Sequence, residues 1–344
     1  MKYIIHIGIC GFGNQLLGFK ELCIISKYLN RTIVLPIFIP HGTIRNASKK
    51  YYEFKEIFDV NNFKKYYNCI GFNEINTQIT NGYIIRPEKE YGLVKSYLDL
   101  SKEYYNLSDS LNISKINKQY IKNISDLEEL KNIEDEVLVL IGTFNNLKLS
   151  TCNKNGCLNE NCNFYDLFKK DYNIVTESLM FNNNITQYSN NFLKSNNLCE
   201  DNYITFHIRT PDIIKNLSFK EAYNNLEEMV VYNAIKNYLI KNELSNLIDK
   251  IFIAIPPSGL NIKDMKIFNS NKVVLMNDII QDKFLLSMIE LDICNKSKLL
   301  IYSPTNTPFM FKEHTRSSFT LLSKDYRSLH KKMCLDTCIT SIIN

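Results

Sequence analysis

The chain is expected to be an α/β protein with two domains built on parallel sheets, and three observations predict this. Short, β-branched apolar runs at residues 3–9, 32–36, 137–142, 203–208, 250–255, 272–276 and 299–302 have the composition of strands buried on both faces. Between them, segments at 15–29, 219–241, 281–295 and 323–334 carry apolar residues at helical spacing. A stretch rich in Asn and Ser from Phe181 to Glu200 separates two such series. It predicts a boundary between a domain at 1–185 and another at 200–344.

The run at 3–9 is short, lacks a small-residue cleavage site and leads straight into a glycine-rich turn. It reads as the first strand of the fold rather than a secretory signal, which favours a cytoplasmic protein. The turn holds Gly8, Gly11 and Gly13. Glycines there allow positive φ and let backbone N–H groups approach an anion, and the positive end of a following helix favours phosphate. That helix is expected from about Asn14, with Leu16, Phe19, Leu22, Ile25 and Leu29 on one face. A dinucleotide fold is disfavoured. The spacing is G-x-x-G-x-G rather than G-x-G-x-x-G, and the second strand ends in Val34-Leu35-Pro36 where a ribose-binding acid belongs. The alternative without a ligand is a tight strand-to-helix turn with Asn14 as the helix cap.

In the second half, Tyr203 to Arg209 alternates so that His207 and Arg209 share one face at the carboxyl end of a strand. Open α/β sheets place their ligands there. Pro211 stops the strand and Asp212 follows. A guanidinium can bind a diphosphate bidentately and neutralise charge as it leaves. The competing view is a surface Arg209–Asp212 pair above a core histidine.

Composition narrows the function classes. The chain has 344 residues, 45% hydrophobic and 22% charged, enough for sizeable cores. Its net charge of +5 is dispersed in short lysine pairs, so nucleic acid is not an expected partner. No apolar run approaches the roughly 18 residues a transmembrane helix needs. Among ten cysteines, Cys152, Cys157 and Cys162 sit in an Asn-rich stretch without the C-x2-C pairing of zinc sites, leaving a plain loop, a disulfide or a metal as alternatives.

Together the two segments resemble the GDP-fucose protein O-fucosyltransferases and the wider fucosyltransferase superfamily. The family opens with a strand, a G-x-x-x-N-Q turn, a long helix and a second strand ending in proline. Gly11-Phe12-Gly13-Asn14-Gln15 through Thr32-Ile33-Val34-Leu35-Pro36 matches that pattern. Ile57-Phe58-Asp59-Val60 is similar to the next segment, and His207 and Arg209 match the family's H-x-R motif. The stretch from Asp292-Ile293-Cys294 through Thr305-Asn306-Thr307 to Arg316 is similar to a late helix, strand and Ser/Thr-rich loop. Residues 65–135 match nothing in the family pattern.

The resemblance implies a GT-B-like fold of two Rossmann-like domains with the active site in the cleft between them. The amino-terminal domain would serve the acceptor side and the carboxyl-terminal domain the GDP-sugar. It also implies an inverting transfer of L-fucose from GDP-fucose to a protein or glycan hydroxyl, with no metal or other cofactor required. Arg209 would stabilise departing GDP, and Asn14 would hold the β-phosphate or the acceptor hydroxyl. Gly11, Phe12, Gly13, His207, Asp212, Asp292, Thr305 and Thr307 would bind substrate, with Asp212 and Asp292 as candidate bases. The chain departs from the pattern in places. Gly11 stands where protein-directed members often carry arginine, Pro256-Pro257 where an aspartate is frequent, and Thr210 where α-1,2- and α-1,6-enzymes carry a second arginine. The alternatives are therefore an α-1,2-type glycan fucosyltransferase and a catalytically inactive sugar-nucleotide-binding protein.

Overall fold

The structure, a computed structural model, describes residues 1–9, 11–40, 47–75, 78–84, 91–115, 124–142, 163–200, 202–207, 250–254, 273–274, 276, 281–302, 318–330 and 333–336. The chain divides into two compact units. One comprises Met1–His41 with Lys49–Asn182, the other Gly42–Ser48 with Asn183–Asn344.

In the first unit the strands are β1 (Tyr3–Gly8), β2 (Thr32–Val34), β3 (Ile37–Phe38), β4 (Tyr52–Glu53), β5 (Cys69–Ile70), β6 (Ile79–Ile84), β7 (Leu107–Lys115) and β8 (Val137–Gly142). The helices are α1 (Phe12–Leu29), α2 (Phe54–Ile57), α3 (Val60–Lys64), α4 (Tyr91–Tyr105), α5 (Ile124–Lys131) and α6 (Asn163–Ser178). A parallel sheet runs in the order β5-β2-β1-β8-β6-β7, and β3 pairs antiparallel with β4. Burial on both faces explains the unbroken apolar run of β1. Ile5, Ile7 and Ile9 enter the core beside Val139 and Ile141, and Ile4, His6 and Gly8 alternate to the other face.

Helix α1 begins at Phe12, two residues before the expected start, and its N-cap is Gly11 rather than Asn14. The Asn14 and Gln15 N–H groups both donate to the Gly11 carbonyl, at 2.9 and 3.1 Å, so Asn14 lies inside the first turn. Residues 65–135, which gave no strand signal, supply β5, β6 and β7. The Asn- and Ser-rich stretch expected to be a connection contains a helix, α7 (Asn183–Ser195), which buries Ile185, Ser189, Phe192 and Leu193.

The second unit adds β9 (Tyr203–His207), β10 (Lys250–Ala254), β11 (Val273–Val274), β12 (Leu299–Tyr302) and β13 (Met333–Asp336), with α8 (Lys283–Lys296) and α9 (Ser318–Leu329). Its sheet is also parallel, in the order β11-β10-β9-β12-β13. The helix expected at 323–334 runs from Ser318 to Leu329, and its predicted end is strand β13. The helical pattern at 219–241 lies outside the described residues.

Each unit holds a buried arginine that gathers backbone carbonyls. Arg31 donates to Tyr3, Ile133 and Asp135, tying the start of β1 to the turn before β8. Arg327, fully buried on α9, donates to the carbonyls of Cys294, Ser297 and Lys298 at 2.7–2.9 Å. These groups lie at the end of α8, where carbonyls lack helical partners and the dipole favours a cation.

Candidate active site

Both sheets reverse their strand order beside their first strand, β1 in one and β9 in the other. Such a topological switch point opens a crevice at the carboxyl ends of the strands, where α/β sheets bind ligands. The two sequence motifs fall at these places. The Gly11–Gln15 turn follows β1, and His207 ends β9.

Close approach governs the first turn. A Cβ on Gly8 would come within 2.9 Å of both the Gln15 side chain and His6 Cε1, so glycine lets α1 settle onto β1. Gly11 is different. Its φ of −68° is open to any residue, and a Cβ there would meet nothing within 4 Å. The positive φ anticipated for this turn is not used at Gly11. The first turn of α1 contains no acidic residue, which keeps its positive end available to an anion. Gly11, Gly13 and Asn14 are half-buried. Phe12 turns its ring into an aromatic cluster, 5.2 Å from Phe38 and 6.4 Å from Phe58 between centroids. Gln15 is buried and clips Ile39 with both ends of its amide, donating to the carbonyl at 2.6 Å and accepting from the N–H at 2.9 Å. Two of the five motif residues thus build the turn's support.

In the second unit, Tyr203, Thr205 and His207 share one face of β9, all buried. Tyr203 donates its hydroxyl to the Ile293 carbonyl at 2.7 Å, so this face meets α8. His207 lies in register with Ala254 and Tyr302 on the flanking strands. Arg209 and Asp212 follow β9, Thr305 and Thr307 follow β12, and all four lie outside the described residues, as do Cys152, Cys157 and Cys162.

Asp292 is buried on α8 and engaged there. It accepts from Lys296 at 2.6 Å and from the Ser189 hydroxyl of α7, while Lys296 also donates to Ser189 and Asn190. This is a clamp between two helices. Sequence reasoning passed over Glu290. Burial pushes its carboxyl up to about 8, with Lys283 pulling it back. One turn further on, burial and the Glu290 carboxyl push the Cys294 thiol up, and the Thr205 hydroxyl beside it moderates the rise. Glu290 therefore lies on the side of α8 that meets β9. Since Lys298 N–H bonds the Tyr203 carbonyl, α8 runs antiparallel to β9, and Glu290 lies toward the His207 end. A lone carboxylate in the apolar run Met288-Ile289-Glu290-Leu291 was the available signal.

The fold is that of fucosyltransferases of known structure. POFUT1 in complex with GDP-fucose is similar over 95% of this chain and 94% of its own, with 13% identity and a TM-score of 0.61. NodZ α-1,6-fucosyltransferase soaked with GDP-fucose is similar over 94% and 92%, with 11% identity and a TM-score of 0.51. No curated protein sequence matches the chain. The GDP-fucose protein O-fucosyltransferase family model matches residues 3–250, and the chain belongs to that family. It is a glycosyltransferase. Among the described residues no helix is long and apolar enough to cross a membrane.

Proposed function

We propose that the chain moves L-fucose from GDP-fucose to a hydroxyl of a protein or glycan acceptor, with inversion at the anomeric carbon and no required metal. The first unit would carry the acceptor side and the second the GDP-sugar side of a GT-B-like enzyme. The observation that carries this proposal is the coincidence of the family's H-x-R motif with the strand end at the switch point of the second sheet.

The chemistry follows from the leaving group. As the bond from fucose to the diphosphate breaks, negative charge grows on GDP and positive charge on the sugar. Arg209 neutralises the former, helped by the Gly11–Asn14 turn and the hydroxyls of Thr305 and Thr307. Asn14 holds the β-phosphate or the incoming hydroxyl. The acceptor oxygen attacks from the opposite face, which inverts the centre, and gives its proton to a base. Asp292 is committed to Lys296 and Ser189, which leaves Asp212 for that role. Glu290 reads the base, because a carboxylate accepts the parallel N1–H and N2–H donors of guanine, a pair uracil lacks.

A pH dependence follows. The folded pKa of about 8 lies above that of a free glutamate, so the native state keeps a proton the unfolded chain has released. Apo stability should therefore fall as pH rises from about 5 to 8 and level off above, and Glu290→Gln should remove that slope. Guanine takes the ionised form, so GDP affinity should rise toward pH 8 in the wild type and stay flatter in Glu290→Gln. Identical titration profiles for the two proteins would refute the assignment of Glu290.

Nucleotide selectivity tests the proposal at large. GDP should raise the melting temperature clearly more than GMP or UDP, since stabilisation follows RT ln(1 + [L]/Kd). Equal shifts with GMP and GDP would mean that no diphosphate clamp exists.

A further inference from the structure

Two buried thiols that the proposed chemistry leaves unused lie in one layer of the first unit. Cys23 is on α1, and Cys69 opens β5, the edge strand of the parallel sheet. Paired residues of neighbouring parallel strands face the same side of a sheet. Val34 and Ile70 are such a pair, and both pack into the cluster that holds Tyr97, Leu98 and Tyr105 of α4. Ile33 and Cys69, the preceding pair, therefore face the opposite side, together with Ile4 of β1. Gly8 faces that side too, and the Gln15 side chain of α1 rests against it. Cys69 thus points into the layer that α1 fills.

Cys23 reaches the same level. β1 and β2 are parallel neighbours joined by α1, so the helix runs back against them. From Gln15 to Cys23 the helix covers about 12 Å, and from Gly8 back to Ile4 the strand covers about 13 Å. Cys23 therefore comes to the row of Ile4, Ile33 and Cys69. Aromatic rings bridge the flank toward β5. Phe19, one turn before Cys23, lies 5.7 Å from Phe63, and Phe63 stacks at 5.1 Å on Tyr67, two residues before Cys69. Cys23 is fully buried and Cys69 is 8% exposed. Burial pushes the Cys23 thiol well up, neighbouring Cys69 pushes it further, and Lys20 pulls it back. Burial likewise lifts Cys69 to about 11, with Lys64 opposing.

We propose that Cys23 and Cys69 form a redox-sensitive latch, in which exchange with a small-molecule disulfide of the glutathione type joins them and ties α1 to the edge of its sheet. Cys69 reacts first. It is the less buried thiol, and β5 is two residues long with β2 as its neighbour, so it opens at low cost. Its thiolate attacks one sulfur of the small disulfide and releases one small thiolate, leaving a mixed disulfide at Cys69. The Cys23 thiolate then attacks the Cys69 sulfur, which forms the Cys23–Cys69 bond and releases the second small thiolate. The two protons of the protein thiols pass to the two departing thiolates, so one small disulfide is reduced as one protein disulfide forms. The helix fastened in this way is the one that Gly11 caps.

The full chain is incubated with oxidised glutathione, remaining thiols are blocked, and disulfides are mapped by peptide mass spectrometry. Melting temperatures are compared before and after dithiothreitol, with exposed Cys199 as the control for reaction. Wild type should yield the linked Cys23–Cys69 peptide and melt about 5 °C higher oxidised than reduced. Cys69→Ala should leave Cys23 unmodified and abolish the rise, whereas Cys23→Ala should hold glutathione on Cys69. Each variant is compared with its own reduced form, so a stability cost of the substitution does not enter the difference. Cys23 and Cys69 left unlinked while Cys199 is modified would overturn the latch. A linked peptide with no rise in melting temperature would overturn it as well.

Discussion

A folded Arg209→Ala protein is expected to lose fucosyl transfer by about a hundredfold or more, in kcat and kcat/KM together. Arg209 follows two residues after His207, the last residue of β9, and β9 borders the switch point of its sheet. In the proposed mechanism a guanidinium held there before reaction would need no reorganisation when charge develops on the departing diphosphate. Losing one such preorganised donor costs about 3 kcal/mol of transition-state stabilisation. Arg209→Lys keeps the charge but not the planar fork, so it should fall between alanine and wild type. The control is the melting temperature without nucleotide, which should stay near that of the wild type. Near-normal turnover in a folded Arg209→Ala protein would remove arginine from the chemistry.

The largest stability effect is expected at Arg327. Alanine there leaves the buried carbonyls of Cys294, Ser297 and Lys298 and the hydroxyl of Ser297 without their donor. Each abandoned buried acceptor costs about 1–3 kcal/mol, and breaking one such cluster about 3–5 kcal/mol. That is a large share of the 5–15 kcal/mol that typically separates folded from unfolded. Arg327→Ala should therefore lower the urea midpoint sharply or prevent folding. Arg327→Lys should recover only part, because an ammonium cannot span three carbonyls in one plane. A midpoint unchanged in Arg327→Ala would show that water replaces the guanidinium without cost.

What the sequence made legible follows from burial. Strands β1, β8, β9 and β12 are interior strands of parallel sheets, and their side chains had to be apolar on both faces. Strand β7 lies at a sheet edge, so its sequence, Leu107-Ser108-Asp109-Ser110-Leu111-Asn112-Ile113-Ser114-Lys115, carries no continuous apolar signal. Helix α7 was hidden by its asparagines, although Ile185, Ser189, Phe192 and Leu193 keep helical spacing. Of the amino-terminal motif, the turn was legible but the division of labour within it was not. Gln15 binds Ile39, a partner 24 residues away that no local pattern announces. Asp292 drew attention because it opens the late family-like segment, yet it serves α7, and the carboxyl turned toward β9 is two residues earlier.

The central claim is that this chain uses GDP-fucose as its donor and that its own cations do the electrostatic work at the diphosphate. The most direct measurement offers the purified protein a panel of GDP- and UDP-sugars in excess EDTA, and again with manganese or magnesium, while following release of nucleotide and of sugar product. GDP-fucose should be consumed in preference to GDP-mannose and the UDP-sugars, at a rate EDTA does not abolish. Modest stimulation by manganese would be compatible, since free cations can shield released GDP. Preference for a UDP-sugar, or complete loss of GDP-fucose turnover in EDTA with recovery on adding a divalent metal, would contradict it.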